Sequence, residues 1–172
     1  LTGRAEIMEL GGIRRQGDDK LFLISTTHGA ETTGLAAMMA TIREFEKHDM
    51  ISGNWERGEV LKSRLDGIIN SNGLESNLQL IGYPCLFALI CKNPDGAPDD
   101  RFRTLMMQEM ISNGALFQGL FYPTWSHQQP EMDILVRAFE NACLVYRSAI
   151  DSGATDDFLI GPAAKPVFRK KI

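Results

Sequence analysis

The sequence is poor in the residue types that build metal and nucleic-acid sites. Among its 172 residues there are three cysteines and three histidines. The cysteines, Cys85, Cys91 and Cys143, are odd in number and their spacing fits no zinc motif. The formal net charge of −4 argues against non-specific nucleic-acid binding, which needs a basic face. We therefore expect neither a bound metal nor a nucleic-acid partner.

Long apolar runs and glycine-rich phosphate loops are also missing. The sequence has no apolar run of about 18 residues, the length of a membrane-spanning helix, and it shows no secretory signal. P-loop and dinucleotide-binding glycine motifs are absent as well. Hydrophobic residues make up 44% and charged residues 23%, which is ordinary for a globular chain with a sizeable core. We therefore expect a cytoplasmic protein that has no contact with a membrane.

Residues 21–42 are the most informative stretch that the sequence does contain. A short apolar run predicts a strand, and three hydroxyl residues, Ser25, Thr26 and Thr27, follow it. Apolar side chains at a 3.6-residue spacing then predict a helix over residues 32–47. Such a turn can hold a phosphate, because hydroxyls and free N–H groups converge at the positive end of the helix dipole. The alternative interpretation is that the hydroxyls only cap the helix.

The rest of the sequence mixes predicted helices and strands, which places the chain in the α/β or α+β class. Apolar stripes predict further helices over residues 54–70, 100–113 and 130–150. Apolar runs predict strands over residues 78–81, 86–91 and 116–122. Asn54 is the predicted N-cap of the first of these helices, and Pro130 is the predicted first residue of the last.

The histidines could take part in chemistry but also have structural interpretations. His28 follows the hydroxyl cluster, and His127 follows Ser126 in a predicted loop. Adjacent serine and histidine do not make a catalytic triad, which is defined by geometry, so we interpret the loop as a cap for the last helix. A metal-dependent hydrolase that uses His28, His48 and His127 is an alternative.

Three segments of the sequence carry a resemblance to a known family, and they read LTGRAEIMELGG, LFLISTTHGAETTGLAAMMATI and FYPTWSHQQPEMD. They resemble class III pyridoxal-phosphate-dependent aminotransferases, in particular the branch that contains glutamate-1-semialdehyde 2,1-aminomutase. The resemblance implies the C-terminal part of a type I pyridoxal-phosphate transferase fold. Residues 1–42 would end the large cofactor-binding domain. Residues 43–172 would form a small α/β domain of the α+β kind, with helices packed on a small, mainly antiparallel sheet.

The resemblance also implies a cofactor, pyridoxal 5'-phosphate, and a homodimer. The first two segments resemble the stretch that follows the Schiff-base lysine, so that lysine is expected upstream of Leu1. In the family, a threonine at the position matching Thr27 reaches the cofactor phosphate of the other subunit, and Thr26 is the nearest alternative. This chain would then hold no catalytic residue. On its own we expect it neither to bind the cofactor covalently nor to turn over.

The reaction implied is amino-group transfer or a 1,2-amino shift on a small molecule. The mutase has acidic residues after the histidine that matches His127, whereas this chain has Gln128 and Gln129. A transaminase acting on an amino acid or an amino sugar therefore fits as well as a mutase. The alternative from another class is a non-catalytic α/β binding or interaction module that reuses the small domain.

Overall fold

The structure, a computed structural model, describes residues 4–11 and 31–165. The chain divides into two compact units, Leu1–Glu44 and Phe45–Ile172. The strand predicted over residues 21–24 lies outside the described residues. Whether the first unit is the end of a larger cofactor domain stays a prediction.

The first unit contains short helical turns and most of one long helix. Helix α1 covers Ala5–Met8 and is followed by a 3-10 turn, Glu9–Gly11. Helix α2 covers Thr32–His48, in agreement with the helix predicted from apolar spacing, and none of its residues is buried. Its apolar side chains are 40 to 50% exposed, namely Leu35, Met38, Met39, Ile42 and Phe45.

Helix α3, Met50–Ser71, begins immediately after Asp49. Asp49 has a φ of 44°, in the left-handed region, and this single residue separates α3 from α2. The predicted start at Asn54 is wrong, because the backbone is already helical over the preceding turn, where the Gly53 N–H donates to the Asp49 carbonyl at 3.1 Å. The polar residue that looked like a cap is therefore an interior helix residue.

A small antiparallel sheet follows, with strand order β1-β2-β3 among the described residues. Its strands are β1 Leu78–Tyr83, β2 Leu86–Cys91 and β3 Leu120–Phe121. The first two agree with prediction, but the strand predicted over residues 116–122 is wrong except at its two paired residues. Gly119, with a φ of +98°, interrupts extended backbone just before β3, and Leu116 is 88% exposed.

Helix α3 lies very close to the loop between β1 and β2. Gly58 is buried in α3, and a Cβ atom there would overlap the carbonyl oxygen of Pro84. Glycine at this position therefore allows a backbone-to-backbone approach that no other residue permits. Gly67, about two and a half turns further along the same helix, has no atom within 4 Å of an added Cβ.

Two further helices cover the sheet. Helix α4 spans Asp100–Ser112, and its N-cap Asp99 accepts from the Arg101 N–H at 2.8 Å. The hydrogen bond from the Arg101 side chain lowers the pKa of Asp99. Helix α5 spans Gln129–Ser152 and is followed by a 3-10 turn, Thr155–Phe158. The predicted first residue, Pro130, is instead the second residue of α5.

The core lies in the second unit, between one face of the sheet and helices α3, α4 and α5. Aromatic rings stack through it, with Phe87 and Phe121 at 4.9 Å between centroids. The buried Tyr146 hydroxyl donates to the Lys92 carbonyl at 2.7 Å, so its polar atom is satisfied. The largest fully buried side chains among the described residues are Tyr146, Phe87, Phe102, Phe139, Leu61, Leu65, Leu74, Leu105, Met106, Met110 and Cys143.

These elements confirm the expected class, a mixed α/β chain with helices packed on a small antiparallel sheet. No helix in the described ranges combines the length and the apolar content needed to cross a lipid bilayer.

Candidate functional site

The predicted cofactor-phosphate residues, Thr27 and its alternative Thr26, lie outside the described residues. His28, which follows them, lies outside as well. The phosphate-binding turn therefore stays a prediction.

A cleft of about 550 Å³ opens in the second unit, between the N-terminal half of α3 and the loop that leads into α5. Its volume lies in the range of small-molecule sites. Its walls combine charged, aromatic and apolar side chains. The lining residues are His48, Asp49, Ser52, Gly53, Glu56, Arg57, Val60, Arg64, Trp125, His127, Gln128, Gln129 and Met132.

The helix wall of the cleft follows directly from helical geometry. Gly53, Arg57, Val60 and Arg64 recur every three or four residues, so they share one face of α3. The opposite wall comes from a short loop that the sequence places far from α3. The cleft is therefore formed by tertiary packing rather than by a local motif.

Trp125 is the centre of the site. The Arg57 guanidinium carbon lies 4.6 Å from the centre of the Trp125 ring, which is cation–π geometry. The His48 ring stacks against the same indole, with centroids 5.3 Å apart and an interplanar angle of 30°. Gly53 leaves room for this arrangement, because a Cβ there would lie 2.9 Å from Arg57 Nη1 and 3.3 Å from Trp125 Cζ3.

The two arginines of the cleft differ in their partners. Arg64 Nη1 lies 2.9 Å from Asp133 Oδ1, and Gln129 Nε2 donates to the same oxygen at 2.8 Å. These hydrogen bonds, that from Arg64 first, lower the pKa of Asp133. Arg57 has no ion-pair partner among the described residues, and its Nη1 is buried without a hydrogen-bond acceptor.

The loop into α5 fixes the state of His127. The Thr124 backbone N–H, which can only donate, lies 3.1 Å from His127 Nδ1. The neutral ring must therefore accept at Nδ1 and carry its proton on Nε2. In the next turn, Gln128 caps α5 in a capping box with Glu131, whose Oε2 accepts from the Gln128 N–H at 3.0 Å. The interpretation of this loop as a helix cap is confirmed.

Neither a metal nor covalently bound pyridoxal phosphate fits the cleft. His48 and His127 both line it, but no three His, Cys, Asp or Glu side chains come together as a metal site within residues 4–11 and 31–165. No lysine is among the described residues that line the cleft, so these residues offer no amine to the aldehyde of the cofactor.

No protein-family model matches the sequence, and no curated protein matches it. Among solved structures, the fold is similar to that of an omega-transaminase from Sphaerobacter thermophilus, with a TM-score of 0.60 and 17% sequence identity. The chain shares its fold with part of a transaminase. The match covers 84% of this chain and 34% of the transaminase chain. This match confirms the expected transferase fold for the part of that fold that the chain covers. It does not distinguish the aminomutase branch from other branches.

Sequence reasoning missed the two residues at the centre of the cleft, Arg57 and Trp125. A local signal existed in α3, because Gly53 and Arg57 are four residues apart and so lie on one helix face. No local signal existed for Trp125, since its contact with α3 depends on how the loop packs.

Proposed function

We propose that the chain is the C-terminal portion of a pyridoxal-phosphate-dependent aminotransferase. The observation that carries this proposal is the fold, which matches part of an omega-transaminase over 84% of the chain. The resemblance of residues 1–12 and 21–42 to class III aminotransferases supports the same proposal. The chain spans 34% of the transaminase that it matches, so most of the proposed enzyme would lie outside it.

The role of this chain would be to complete an active site rather than to contain one. When bound, pyridoxal phosphate supplies the electron sink for amino-group chemistry. The Thr27 hydroxyl, or that of Thr26, would donate a hydrogen bond to the cofactor phosphate of the partner protomer in a homodimer. The second unit would act as the small domain, whose surface closes over the site and excludes water.

The substrate would be a small amino acid or amino sugar. Amino-group transfer is the coarser proposal, and a 1,2-amino shift of the aminomutase type is the finer one. Gln128 and Gln129, where the mutase has acidic residues, favour a transaminase with another substrate.

Subunit complementation in the full-length protein tests the proposed role of Thr27. One variant carries Thr27→Val and the other lacks the Schiff-base lysine. If Thr27 serves the partner's cofactor, a mixed dimer has one site with both defects and one intact site. Mixing the two inactive variants should therefore restore about half of the wild-type activity per mixed dimer. No recovery on mixing, with both variants dimeric, would contradict the proposal.

The isolated chain provides the complementary test. We expect it to form no specific covalent adduct with pyridoxal phosphate, as measured by mass spectrometry after borohydride reduction.

Thr26→Val in the full-length protein is the matched control for Thr27→Val. A larger loss of cofactor affinity for Thr26→Val would move the phosphate contact by one residue.

The second candidate function is a non-catalytic binding or interaction module. The observation that favours it is the second unit itself, which has its own core and a cleft whose described lining residues include no lysine. A folded monomer, measured by light scattering on the isolated chain, would favour the module. Self-association of the chain would favour the enzyme portion, because α2 exposes a row of apolar side chains.

A further inference from the structure

We propose that the cleft between α3 and α5 binds the carboxylate of a small organic acid with an apolar body, and that Arg57 holds the carboxylate. This inference depends on the cleft alone. It stands whether or not the chain is part of an aminotransferase, because it is argued from described side chains of the second unit alone.

The first argument is the state of the Arg57 guanidinium. One of its nitrogens, Nη1, is buried without an acceptor, and no carboxylate among the described residues pairs with the group. A partly dehydrated and unpaired charge is unfavourable, and a charged hydrogen bond from an anion relieves that cost. Arg64, on the same helix face, already has a carboxylate partner in Asp133. The two residues therefore differ in what they can still bind.

The second argument concerns the charge of the ligand. Asp49 and Glu56 also line the cleft, and Asp49 Oδ1 accepts from Ser52 Oγ at 3.0 Å. Two carboxylates near a single unpaired cation repel a dianion more than a monoanion. One carboxylate therefore fits the cleft better than a phosphate group does.

The third argument concerns the body of the ligand. The Trp125 ring, Val60 and Met132 give the cleft apolar walls. Val60 is 58% exposed, so apolar surface remains to be covered. His127, with its proton on Nε2, adds a second donor to the lining. An apolar group that ends in a carboxylate matches this combination of walls and donors.

Titration with benzoate tests the proposal, with benzamide and inorganic phosphate as matched probes. The readout is Trp125 fluorescence in a Trp55→Phe background, since Trp55 lies outside the cleft lining and packs on Tyr83 with ring centroids 5.9 Å apart. We expect benzoate to change the fluorescence saturably. Benzamide, which keeps the ring but lacks the charge, should bind at least about tenfold more weakly.

Variants at Arg57 and at a basic residue outside the cleft identify the residue responsible. Arg57→Met should weaken benzoate binding at least about tenfold, the size expected for a lost charged hydrogen bond. Arg57→Lys should fall between Met and wild type, because lysine keeps the charge but lacks the planar fork. Lys62→Gln, on α3 but outside the cleft lining, is the control and should change affinity by less than about twofold.

Three results would overturn the proposal: equal binding of benzoate and benzamide, unchanged binding in Arg57→Met, or tighter binding of phosphate than of benzoate. Far-ultraviolet circular dichroism establishes that each variant is folded. If Arg57→Met fails to fold, Arg57→Lys decides, and wild-type affinity in that variant would contradict a role for the guanidinium.

Discussion

The two halves of α3 have different surroundings although they form one continuous helix. In the N-terminal half, Ile51 and Trp55 are 63% and 42% exposed. In the C-terminal half, Leu65 and Ile69 are 0% and 3% exposed. Both halves carry apolar residues at helical spacing, so their sequences predict the same kind of face. The pattern therefore tells which side of a helix is apolar, but not whether anything covers that side.

The two halves of α3 therefore differ in role, since one contributes to the stability of the fold and the other to a binding surface. The C-terminal half packs into the core with the sheet and with α5. The N-terminal half leaves apolar surface and one unpaired arginine at a cleft. We expect substitutions in the N-terminal half to change ligand binding and substitutions in the C-terminal half to change the free energy of unfolding.

The largest expected effect comes from truncating the buried half. Leu65→Ala should lower the free energy of unfolding by about 3 kcal/mol, because it removes a fully buried side chain and leaves a cavity. Ile51→Ala, in the open half, is the matched control and should cost less than about 1 kcal/mol. Urea denaturation measures both, and equal losses would remove the contrast between the halves.

The boundary between the halves gives the next largest effect. Gly58→Ala should destabilise the fold by about 2 kcal/mol, because the new methyl group overlaps the Pro84 carbonyl and forces backbone to move. Gly67→Ala, in the same helix with open space around it, should stabilise by about 0.5 kcal/mol. Thermal unfolding of the two variants should shift in opposite directions. A shift in the same direction would mean that α3 does not approach the loop so closely.

Two buried cysteines predict how the stability of the fold depends on pH. Burial raises the pKa of Cys91 and of Cys143 from 9.0 to about 12. Above about pH 9 the unfolded chain releases these thiol protons while the folded chain keeps them, so stability should fall as pH rises toward about 12. The loss per buried thiol is about 1 kcal/mol at about pH 10. Cys143→Ala should therefore make the decline shallower.

The smallest expected effect on stability is at Arg57. Arg57→Met should change the free energy of unfolding by less than about 0.5 kcal/mol, because an unpaired and partly buried charge contributes little to the folded state. Chemical denaturation of the variant measures this change. A loss as large as that expected for Leu65→Ala would show that the guanidinium has a structural partner. It would then argue against the proposal that Arg57 is available to bind a ligand.

Elements with strong local signals were predicted correctly from the sequence. Helix α2 and strands β1 and β2 are examples, because the apolar periodicity that predicts them is a local property of the sequence.

The errors occurred where tertiary packing overrides a local signal. Asn54 has the chemistry of an N-cap, but the chain turns at Asp49 instead, in a left-handed conformation that no local rule required there. Leu116 belongs to an apolar run but stays exposed, because the pairing of this run with β2 is confined to Leu120 and Phe121. The pairing of Arg57 with Trp125 depends on a long-range contact, so apolar spacing in α3 could not reveal it.

Because α3 approaches the β1–β2 loop so closely, only glycine can occupy position 58 of this sequence. The space in which any side chain at that position would start is filled by the Pro84 carbonyl. A library randomised at residues 58 and 67 and selected for folding should return only glycine at residue 58 and many different residues at residue 67. A required glycine followed along the same helix by a variable position is a pattern that can be searched for in diverged sequences. It would identify chains in which a helix lies equally close to a hairpin.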